Sequence, residues 1–346
     1  MTNQAIIIHA AKDLRIEQVE TTAPQTGQVQ IQMHTGGICG SDLHYYNHGG
    51  FGAIRLREPM ILGHEVAGHI TALGAGVEHL HIGDLVAVSP SRPCNSCIFC
   101  LKGDQNHCLN MRFYGSAMPF PHIQGAFRQS LTVDATQCAP ANGLTPGEAA
   151  MAEPLAVCLH AAHQAGDLLG KRVLVTGCGP IGLLIILAAR RAGAAEIIAT
   201  DLSDFTLNIA AQNGADRAIN MAKTPDALSD YTTDKGQIDV LFECTGAAIA
   251  LQGAIPTLRP RATIVQLGLG GDMTLPVQAM TAKELNFRGS FRFHSEFFTG
   301  VKLMQSGLIN VKPLISHSLS LKDAAEAFAL ASDRTQATKI HLNFNG

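Results

Sequence analysis

Four closely spaced cysteines are the clearest chemical signal in the chain. Segment 94–108 carries four of the nine cysteines, separated by two, two and seven residues. Four soft thiolates at this spacing form a closed tetrahedral zinc site that leaves no position for a substrate. An iron–sulfur site is disfavoured, because the bacterial pattern has three residues before its last cysteine and a proline after it, whereas this segment has seven residues and then Leu109. A disulfide is also disfavoured, because it needs an oxidising compartment and nothing marks the chain as secreted. The spacing therefore predicts a structural zinc site whose ligands are Cys94, Cys97, Cys100 and Cys108.

A glycine-rich turn in the middle of the chain is the second signal. The apolar run 171–176 leads directly into 177–182, which reads GCGPIG and is followed by the helix-like segment 183–191. A GxGxxG turn between a strand and a helix lets the backbone approach a pyrophosphate, which then lies at the helix N-terminus. The next apolar run ends in Asp201, whose carboxylate is placed to accept hydrogen bonds from an adenosine ribose. The pattern predicts dinucleotide binding by Gly177, Gly179, Pro180, Ile181, Gly182 and Asp201.

The surroundings of Asp201 favour NAD over NADP. A 2′-phosphate needs a cationic partner, but the next basic residue along the chain is Arg217, and Asp204 adds a further negative charge. Ligands of a doubly wound sheet lie at the carboxyl ends of its strands. The turn formed by Leu267, Gly268 and Leu269 is therefore expected beside the nicotinamide half of the cofactor.

The remaining candidate metal ligands are scattered. Cys39, His64, Glu65 and Glu153 lie in short motifs far apart in the sequence. A single cysteine is more often a small buried hydrophobic residue than a ligand. An isolated His44 is, by itself, an ordinary loop histidine. Spacing alone does not bring these side chains together.

Composition limits the possible function classes. Of 346 residues, 15% are charged and 46% hydrophobic, and the net charge is -3. These values suit a well-packed protein of about two domains and give no basic surface for nucleic acid. The first residues lack the pattern of a signal peptide, and the longest apolar run, 181–189, is far too short to span a bilayer. We therefore expect a cytoplasmic protein with reduced thiols and neither nucleic-acid nor membrane partners.

Hydrophobic periodicity predicts two architectures. Short strand patterns such as 28–34 and 66–73, separated by glycine and proline, are typical of a β-rich domain. After residue 170 the pattern alternates, which predicts a doubly wound parallel sheet. Strands are expected at 171–176, 196–200, 217–220, 238–244, 262–267 and 285–290, and helices at 183–191, 205–213 and 248–258. Two further amphipathic helices are expected at 296–305 and 323–331.

Five motifs together resemble a known family. They are GGICGSD at 36–42, LGHE at 62–65, the four-cysteine segment, EPLAV at 153–157 and GCGPIG at 177–182. In this order they resemble the zinc-dependent medium-chain alcohol and polyol dehydrogenases over nearly the whole chain. The resemblance implies an α/β protein with a GroES-like β-rich catalytic domain, residues 1–155 and 291–346, whose structural zinc lobe lies at about 90–110. It also implies a Rossmann NAD-binding domain, residues 156–290, and a homotetramer or homodimer.

The same resemblance implies a catalytic zinc in addition to the structural one. Cys39, His64, Glu65 and Glu153 match the residues around that metal, and which of the two carboxylates binds it directly stays open. Glu153 stands where alcohol dehydrogenases have their third, cysteine ligand, which favours the polyol branch.

The resemblance further implies hydride transfer from a zinc alkoxide to nicotinamide. Ser41 would accept the substrate's proton and His44 would pass it to solvent, while Glu153 lies beside the reacting hydroxyl. Ser290 and Phe291 are added to the cofactor contacts. The other cysteines are interpreted as buried thiols: Cys138, Cys158, Cys178 and Cys244.

Three stretches narrow the substrate. SDLHYY at 41–46, MRFYGSAM at 111–118 and RGSFRF at 288–293 together resemble the L-idonate 5-dehydrogenases of the polyol branch, which oxidise C5 of L-idonate reversibly to 5-keto-D-gluconate. Sorbitol dehydrogenases share the SDxHY and FR elements, which therefore indicate polyol-type substrates in general, and the MRFYGSAM segment is the one that favours the sugar acid. The resemblance implies Tyr45 and Arg292 as substrate contacts. Arg112 is a hypothesis for a second contact with a sugar-acid carboxylate, since a guanidinium grips a carboxylate through two parallel hydrogen bonds. Arg112 is equally interpreted as a structural link between the zinc lobe and the catalytic domain.

Two alternatives remain. A neutral-polyol dehydrogenase acting on sorbitol or xylitol would share most of these motifs, and rates on sugar acids and neutral alcohols distinguish it. A non-catalytic nucleotide-binding relative would lack metal ligands, whereas Cys39, His64 and Glu153 are all present.

Overall fold

Two large β-sheets organise the chain. The computed structural model describes residues 3–345. Its strands are β1 (Gln4–Ala10), β2 (Asp13–Gln18), β3 (Gln28–Gly37), β4 (Gly50–Phe51), β5 (Ile54–Arg55), β6 (Met60–Ile61), β7 (Glu65–Leu73), β8 (Leu85–Val88), β9 (Ser91–Arg92), β10 (Arg112–Phe113), β11 (Ser130–Asp134), β12 (Cys138–Pro140), β13 (Arg172–Thr176), β14 (Glu196–Asp201), β15 (Arg217–Asn220), β16 (Ile238–Glu243), β17 (Leu258–Gln266), β18 (Asn286–Gly289), β19 (Ile315–Ser320) and β20 (Lys339–Asn343). Its α-helices are α1 (Gly40–His48), α2 (Pro146–Ala150), α3 (Ala152–Ala165), α4 (Pro180–Arg191), α5 (Asp204–Gln212), α6 (Ala248–Ala254), α7 (Val277–Ala282), α8 (Glu296–Gln305) and α9 (Ala324–Ala331).

The first sheet is mixed and has seven strands. Their order is β12-β8-β7-β3-β20-β19, and β11 also pairs with β3. In β3, Val29, Ile31 and Met33 are fully buried while the residues between them are only partly buried, the two-residue period of a strand with one face on a core. Because β19 and β20 come from the end of the chain, the C-terminal segment completes this sheet. The predicted β-rich architecture is confirmed, and the division at residues 155 and 291 stays a prediction.

The second sheet is parallel and has six strands in the order β15-β14-β13-β16-β17-β18. This order reverses beside β13, as in a doubly wound nucleotide-binding sheet, so the predicted fold class is confirmed. The expected helix 248–258 is shorter than predicted, because α6 ends at Ala254 and Pro256 has no N–H with which to continue it. The following strand correspondingly begins at Leu258 rather than at residue 262.

Helix α3 links the two sheets. One hydrophobic cluster runs from Ala67 of β7 through Leu155 of α3 to Val173 of β13 and Phe297 of α8. Leu155 and Val173 are completely buried, and burying such side chains contributes roughly 1.5–3 kcal/mol each. The first turn of α3 therefore lies at a fixed place between the sheets. Within residues 3–345, none of the helices is long and apolar enough to cross a membrane.

Candidate active site

The start of α1 is tied to the loop before β7 by a buried carboxylate. Cys39 is the N-cap of α1, and its backbone N–H donates to Asp42 Oδ2 at 3.0 Å. Asp42 Oδ1 accepts the N–H of Gly63 at 3.2 Å, and the Asp42 side chain is completely buried. Asp42 thus holds Cys39 next to the segment that carries His64. Sequence reasoning missed Asp42, whose signal was an acidic residue three positions after the helix N-cap.

Cys39, His64 and Glu65 converge at this corner. One ligand atom from each lies within 4.8 Å of the others. Glu65 is the first residue of β7 and pairs with Gly37 of β3, where a Cβ atom would lie 2.2 Å from Glu65 Oε2. Glycine at position 37 therefore leaves the space that the carboxylate occupies. The structure thus brings together three residues whose proximity could not be inferred from the spacing of their motifs.

A buried lysine neutralises Glu65. Lys339 Nζ donates to both Glu65 oxygens, at 2.8 and 2.5 Å, and to the carbonyl of Ile38 at 3.1 Å. Both side chains of the pair are 1% exposed. The ammonium group has three donors and finds three acceptors, so it is fully satisfied. Sequence reasoning missed Lys339, the first residue of β20, whose sequence KIHLN gives no signal that the lysine is buried.

The donor set fits a zinc ion. Thiolate, imidazole and carboxylate are the usual ligands of Zn²⁺. His64 Nδ1 is buried without a hydrogen-bond partner among residues 3–345 and lies 3.8 Å from Asp42 Oδ1. Burial raises the pKa of the Cys39 thiol to about 12, and the nearby Glu65 carboxylate adds to the rise. A partly buried thiol, a buried imidazole nitrogen and a buried carboxylate in one place suit a cation.

Glu153 lies beside this group on the first turn of α3. The residue is 5% exposed, and its carboxyl group makes no hydrogen bond to another residue in 3–345. Burial raises its pKa to about 8, with Glu65 and Cys39 adding to the rise and His64 and Lys339 opposing it. The close three-residue group does not include Glu153. Glu153 is therefore a buried carboxyl group close to the metal ligands with its proton-binding capacity free.

Ser41 and His44 lie on α1, three residues apart and hence on the same side of the helix. The Ser41 hydroxyl lies beside the Cys39 thiol, where it partly offsets the rise in the thiol's pKa. The His44 ring is partly buried, with its centroid 5.4 Å from that of Phe51. Burial lowers the pKa of His44 from its ordinary value. The spacing suits a path from the buried corner towards solvent.

Arg292 interacts electrostatically with Glu153, and its guanidinium has no carboxylate partner among residues 3–345. Its guanidinium carbon lies 4.5 Å from the centre of the Phe113 ring and 4.9 Å from that of Phe291. Its one hydrogen bond among residues 3–345 goes to Met118 Sδ at 3.4 Å. Burial lowers the pKa of Arg292, and the neighbouring Glu153 opposes that effect. An arginine packed between aromatic rings without a carboxylate partner has its planar fork available for a ligand.

Tyr45 and Arg112 differ in burial and in their contacts. Tyr45 is 2% exposed, and its hydroxyl accepts the N–H of Ala117 at 3.0 Å. Burial raises its pKa, and Arg292 is close enough to oppose the rise. Arg112 is exposed on β10, and its neighbour Phe113 packs against Arg292. Successive residues of a strand point to opposite faces, so Arg112 is not brought beside Arg292 and its proposed contact stays a hypothesis.

The glycine-rich turn has the backbone that a dinucleotide needs. Gly177 has φ +86, and a Cβ atom on Gly182 would lie 1.8 Å from the Gly177 carbonyl oxygen. A Cβ atom on Gly179, the N-cap of α4, would meet nothing within 4 Å. Pro180 and Ile181 form the first turn of α4. Two glycines therefore allow close packing, and the third leaves open space at the helix N-terminus for a pyrophosphate.

Asp201 ends β14 and organises the loops around it. Its Oδ2 accepts the N–H of Cys178 at 2.6 Å, and its Oδ1 accepts those of Leu202 and Ser203 at 2.7 and 3.0 Å. A carboxylate has about four lone-pair sites, so one remains for a ribose hydroxyl. The side chain thus fixes the turn, and its contact with a ribose stays a prediction.

Two loops meet at the carboxyl ends of β16 and β17. The carbonyl of the completely buried Glu243 accepts the N–H groups of Leu267 and Gly268, both at 2.9 Å. Its carboxylate accepts the N–H of Gly246 at 2.9 Å. A Cβ atom on Gly268 would lie 2.0 Å from the Gly246 nitrogen, while Leu269 is 73% exposed. Glu243, which sequence reasoning missed, therefore holds the loop predicted to border nicotinamide.

Ser290 and Phe291 follow β18 at the same edge. The Ser290 N–H donates to the Gln266 carbonyl at 3.0 Å, but its hydroxyl is buried without a hydrogen-bond partner among the described residues. Phe291 is 43% exposed. An orphaned buried hydroxyl beside the glycine-rich loops fits contact with a bound cofactor.

The four predicted zinc-lobe cysteines come together. Their sulfur atoms all lie within 4.8 Å of one another, with 3.5 Å between Cys97 and Cys100 and between Cys94 and Cys108. Hydrogen bonds from Asn110 and then Ser96 lower the pKa of Cys94 to about 5. All nine cysteines are unpaired thiols, and burial raises the pKa of the four outside both metal groups: Cys138, Cys158, Cys178 and Cys244. The lobe therefore fits a tetrahedral zinc.

Comparison with known proteins gives the same assignment. The model of the alcohol dehydrogenase GroES-like domain matches residues 25–143, and that of the zinc-binding dehydrogenases matches residues 180–306. The chain is 43% identical to L-idonate 5-dehydrogenase (NAD(P)(+)) of Escherichia coli K12, over 91% of each chain. It is 35% identical to human sorbitol dehydrogenase, over 94% of this chain and 92% of the relative. The crystal structure of L-idonate 5-dehydrogenase from Escherichia coli superposes with a TM-score of 0.95 at 40% identity, covering 99% of each chain.

The matches extend over both sheets and both cysteine-containing groups. On this evidence the chain is a dehydrogenase and belongs to the zinc-binding, GroES-like alcohol dehydrogenase family.

Proposed function

We propose that this enzyme oxidises a secondary hydroxyl of a sugar acid, L-idonate at C5, with transfer of hydride to NAD. The observation that carries the proposal is the guanidinium of Arg292, which has no carboxylate partner among the described residues and interacts electrostatically with Glu153. Glu153 in turn interacts electrostatically with Cys39, His64 and Glu65. A polyol without a carboxylate gives such an arginine only neutral hydroxyls to bind. The relative named L-idonate 5-dehydrogenase supports the same substrate class.

The chain's own residues bind and orient the reacting alcohol. Cys39, His64 and Glu65 would hold a catalytic zinc, whose chemistry when bound is Lewis-acid activation of a hydroxyl. Their close grouping favours Glu65 over Glu153 as the direct carboxylate ligand. Glu153, whose raised pKa lies close to neutrality, is suited to hold a proton or a hydrogen bond at the substrate.

Ser41 and His44 provide the route by which the proton of the substrate hydroxyl leaves the site. Ser41 lies at the buried corner, and His44 lies one turn further along α1 towards the partly exposed surface. Because the pKa of His44 is below its ordinary value, the ring is neutral at pH 7 and able to accept a proton.

Cofactor preference follows from the charges near Asp201. The Asp201 carboxylate repels a 2′-phosphate, and the Lys223 ammonium nearby is already paired with Asp204. We therefore infer a preference for NAD. The nicotinamide half would lie between the Leu267–Leu269 turn and the orphaned Ser290 hydroxyl.

The remaining assignments are part of the same proposal. A second zinc would be held by the four-cysteine lobe, giving two per chain. Unpaired thiols throughout the chain suit a cytoplasmic location. The strand β18, exposed at the edge of the parallel sheet, supports pairing between two copies in a homodimer or homotetramer.

Side-by-side kinetics test the substrate. Values of kcat/KM for L-idonate, D-gluconate and sorbitol are measured through NADH formation by wild type and Arg292→Ala. We expect a strong preference for L-idonate that falls about 100-fold in the variant, since a charge-assisted pair contributes roughly 1.5–3 kcal/mol. The rate on sorbitol should change much less. Faster sorbitol oxidation by the wild type would instead make the enzyme a neutral-polyol dehydrogenase.

A further inference from the structure

Arg292 has an unusual backbone conformation. Its φ is +56°, in the left-handed region that side chains other than glycine rarely adopt. It lies in the short segment between β18, which ends at Gly289, and α8, which begins at Glu296. Such a conformation persists only where the surroundings hold it. The contacts on either side of Arg292 therefore decide where its guanidinium points.

On the N-terminal side, the contact comes from the four-cysteine lobe. Asn106 lies between Cys100 and Cys108, is 8% exposed, and donates from Nδ2 to the Phe291 carbonyl at 3.1 Å. The His107 ring stacks on the Phe291 ring at a centroid distance of 6.2 Å and an interplanar angle of 27°. The lobe thus grips the residue immediately before Arg292 through both its backbone and its ring.

On the C-terminal side, the contact comes from α3. Glu296 folds back so that Oε2 accepts the N–H of His294 at 3.0 Å. Its Oε1 accepts hydrogen bonds from Nδ1 of His160 and His163, both at 3.0 Å. Both histidines belong to α3, whose first turn carries Glu153. The segment is therefore fastened to the same helix that supplies a residue of the active site.

From these contacts we propose that Asn106 and Glu296 are positioning residues that fix Arg292 for its grip on the substrate. The four-cysteine lobe, whose four thiolates would hold a metal and leave no open ligand position, thereby contributes to substrate recognition through Asn106. This inference rests on the proposed function of Arg292. Neither residue touches the substrate, so each acts only through the arginine.

A double-mutant cycle on the full-length, zinc-loaded enzyme tests the proposal. Asn106→Ala is expected to raise the KM for L-idonate about tenfold, with kcat, the KM for NAD and the zinc content unchanged. In an Arg292→Ala background the same substitution should have no effect on KM, because the group it positions is gone. Gln105→Ala is the matched control, since that neighbouring side chain of the lobe is partly buried and makes no hydrogen bond to another residue in 3–345. Equal effects of Asn106→Ala in both backgrounds would overturn the proposal.

The other end of the segment gives an independent arm. Glu296→Gln keeps the size of the side chain but cannot accept all three hydrogen bonds, and we expect the same selective rise in KM. If Asn106→Ala or Glu296→Gln affects kcat and both KM values alike, the residue is merely structural and the proposal is wrong. If Arg292→Ala itself leaves L-idonate kinetics unchanged, the proposed function of that arginine fails instead, which separates the two failures.

Discussion

Replacing Lys339 by methionine should strongly destabilise the metal-free protein. The substitution keeps an unbranched side chain but leaves the Glu65 carboxylate, 1% exposed, without its cation. Removing one partner of a buried ion pair costs about 3–5 kcal/mol, because the remaining charge stays buried. In a chain of this size, each kcal/mol of lost stability lowers the melting temperature by about 2 °C. The melting temperature of Lys339→Met should therefore fall by roughly 6–10 °C.

The magnitude should depend on zinc. A cation bound by Cys39, His64 and Glu65 offsets the charge that Lys339 otherwise neutralises, so the loss should be smaller in the zinc-loaded protein. Differential scanning calorimetry on chelated and zinc-loaded samples measures both values. Lys322→Met is the matched control, because that lysine is exposed and outside every ion pair described.

A second substitution tests the cause. Changing Glu65 to glutamine as well removes both charges, and replacing both partners is far less costly than removing one. The metal-free double variant should therefore recover most of the melting temperature lost in Lys339→Met. If it unfolds at the same temperature as the single variant, or if Lys339→Met matches Lys322→Met, the reasoning about a buried ion pair is refuted.

Three further outcomes follow from the site. Glu153→Gln should lower kcat by at least about 100-fold, the usual minimum for a general acid or base, with zinc content unchanged; loss of zinc would make Glu153 a ligand instead. Asp201→Asn should lower kcat/KM for NAD about tenfold and leave that for NADP unchanged or higher, whereas an unaltered ratio would contradict the ribose contact. Although burial alone would raise it, hydrogen bonds led by that from His160 hold the pKa of Glu296 well below its usual range. The stabilisation of the folded protein by the Glu296 carboxylate is therefore complete above pH 4.5, the pKa of the unfolded state, and declines as the pH falls below it. The free energies of unfolding in urea of wild type and Glu296→Gln should therefore converge in acid. The exposed control Glu326→Gln should show no such convergence.

Local patterns in the sequence predicted the parallel sheet well. Each strand expected after residue 170 appears. The central strands, such as β13, were predictable because a buried parallel strand is a short continuous apolar run with few alternatives. The glycine-rich turn was equally predictable, since its glycines are required by steric contacts as short as 1.8 Å at Gly182. The four-cysteine site could be predicted from the spacing of its cysteines alone.

Helices α1 and α3 were not predicted, because glycines, prolines and polar residues obscure their periodicity. In α1, the N-cap is Cys39 rather than the usual serine or threonine, and the helix ends at the left-handed Gly49. Residues of the active site therefore lie on helices where the pattern indicated loops.

The least predictable features are contacts between distant segments. Lys339 reaches Glu65 across 274 residues, and Asn106 reaches Phe291 across 185. No local pattern encodes which strands become neighbours, so nothing in the sequence KIHLN of β20 shows that Lys339 is buried beside Glu65. The resemblance of the motifs to a family identified the ligands, but it gave no reason for Asp42, Glu243 or Lys339.

The most direct test of the central claim is NADH formation from L-idonate by zinc-loaded wild type and His64→Ala, followed at 340 nm. We expect steady turnover by the wild type and less than about 1% of that rate in the variant, because His64 belongs to the group that would hold the catalytic metal. Turnover by His64→Ala at the wild-type rate would contradict the assignment of the active site to Cys39, His64 and Glu65.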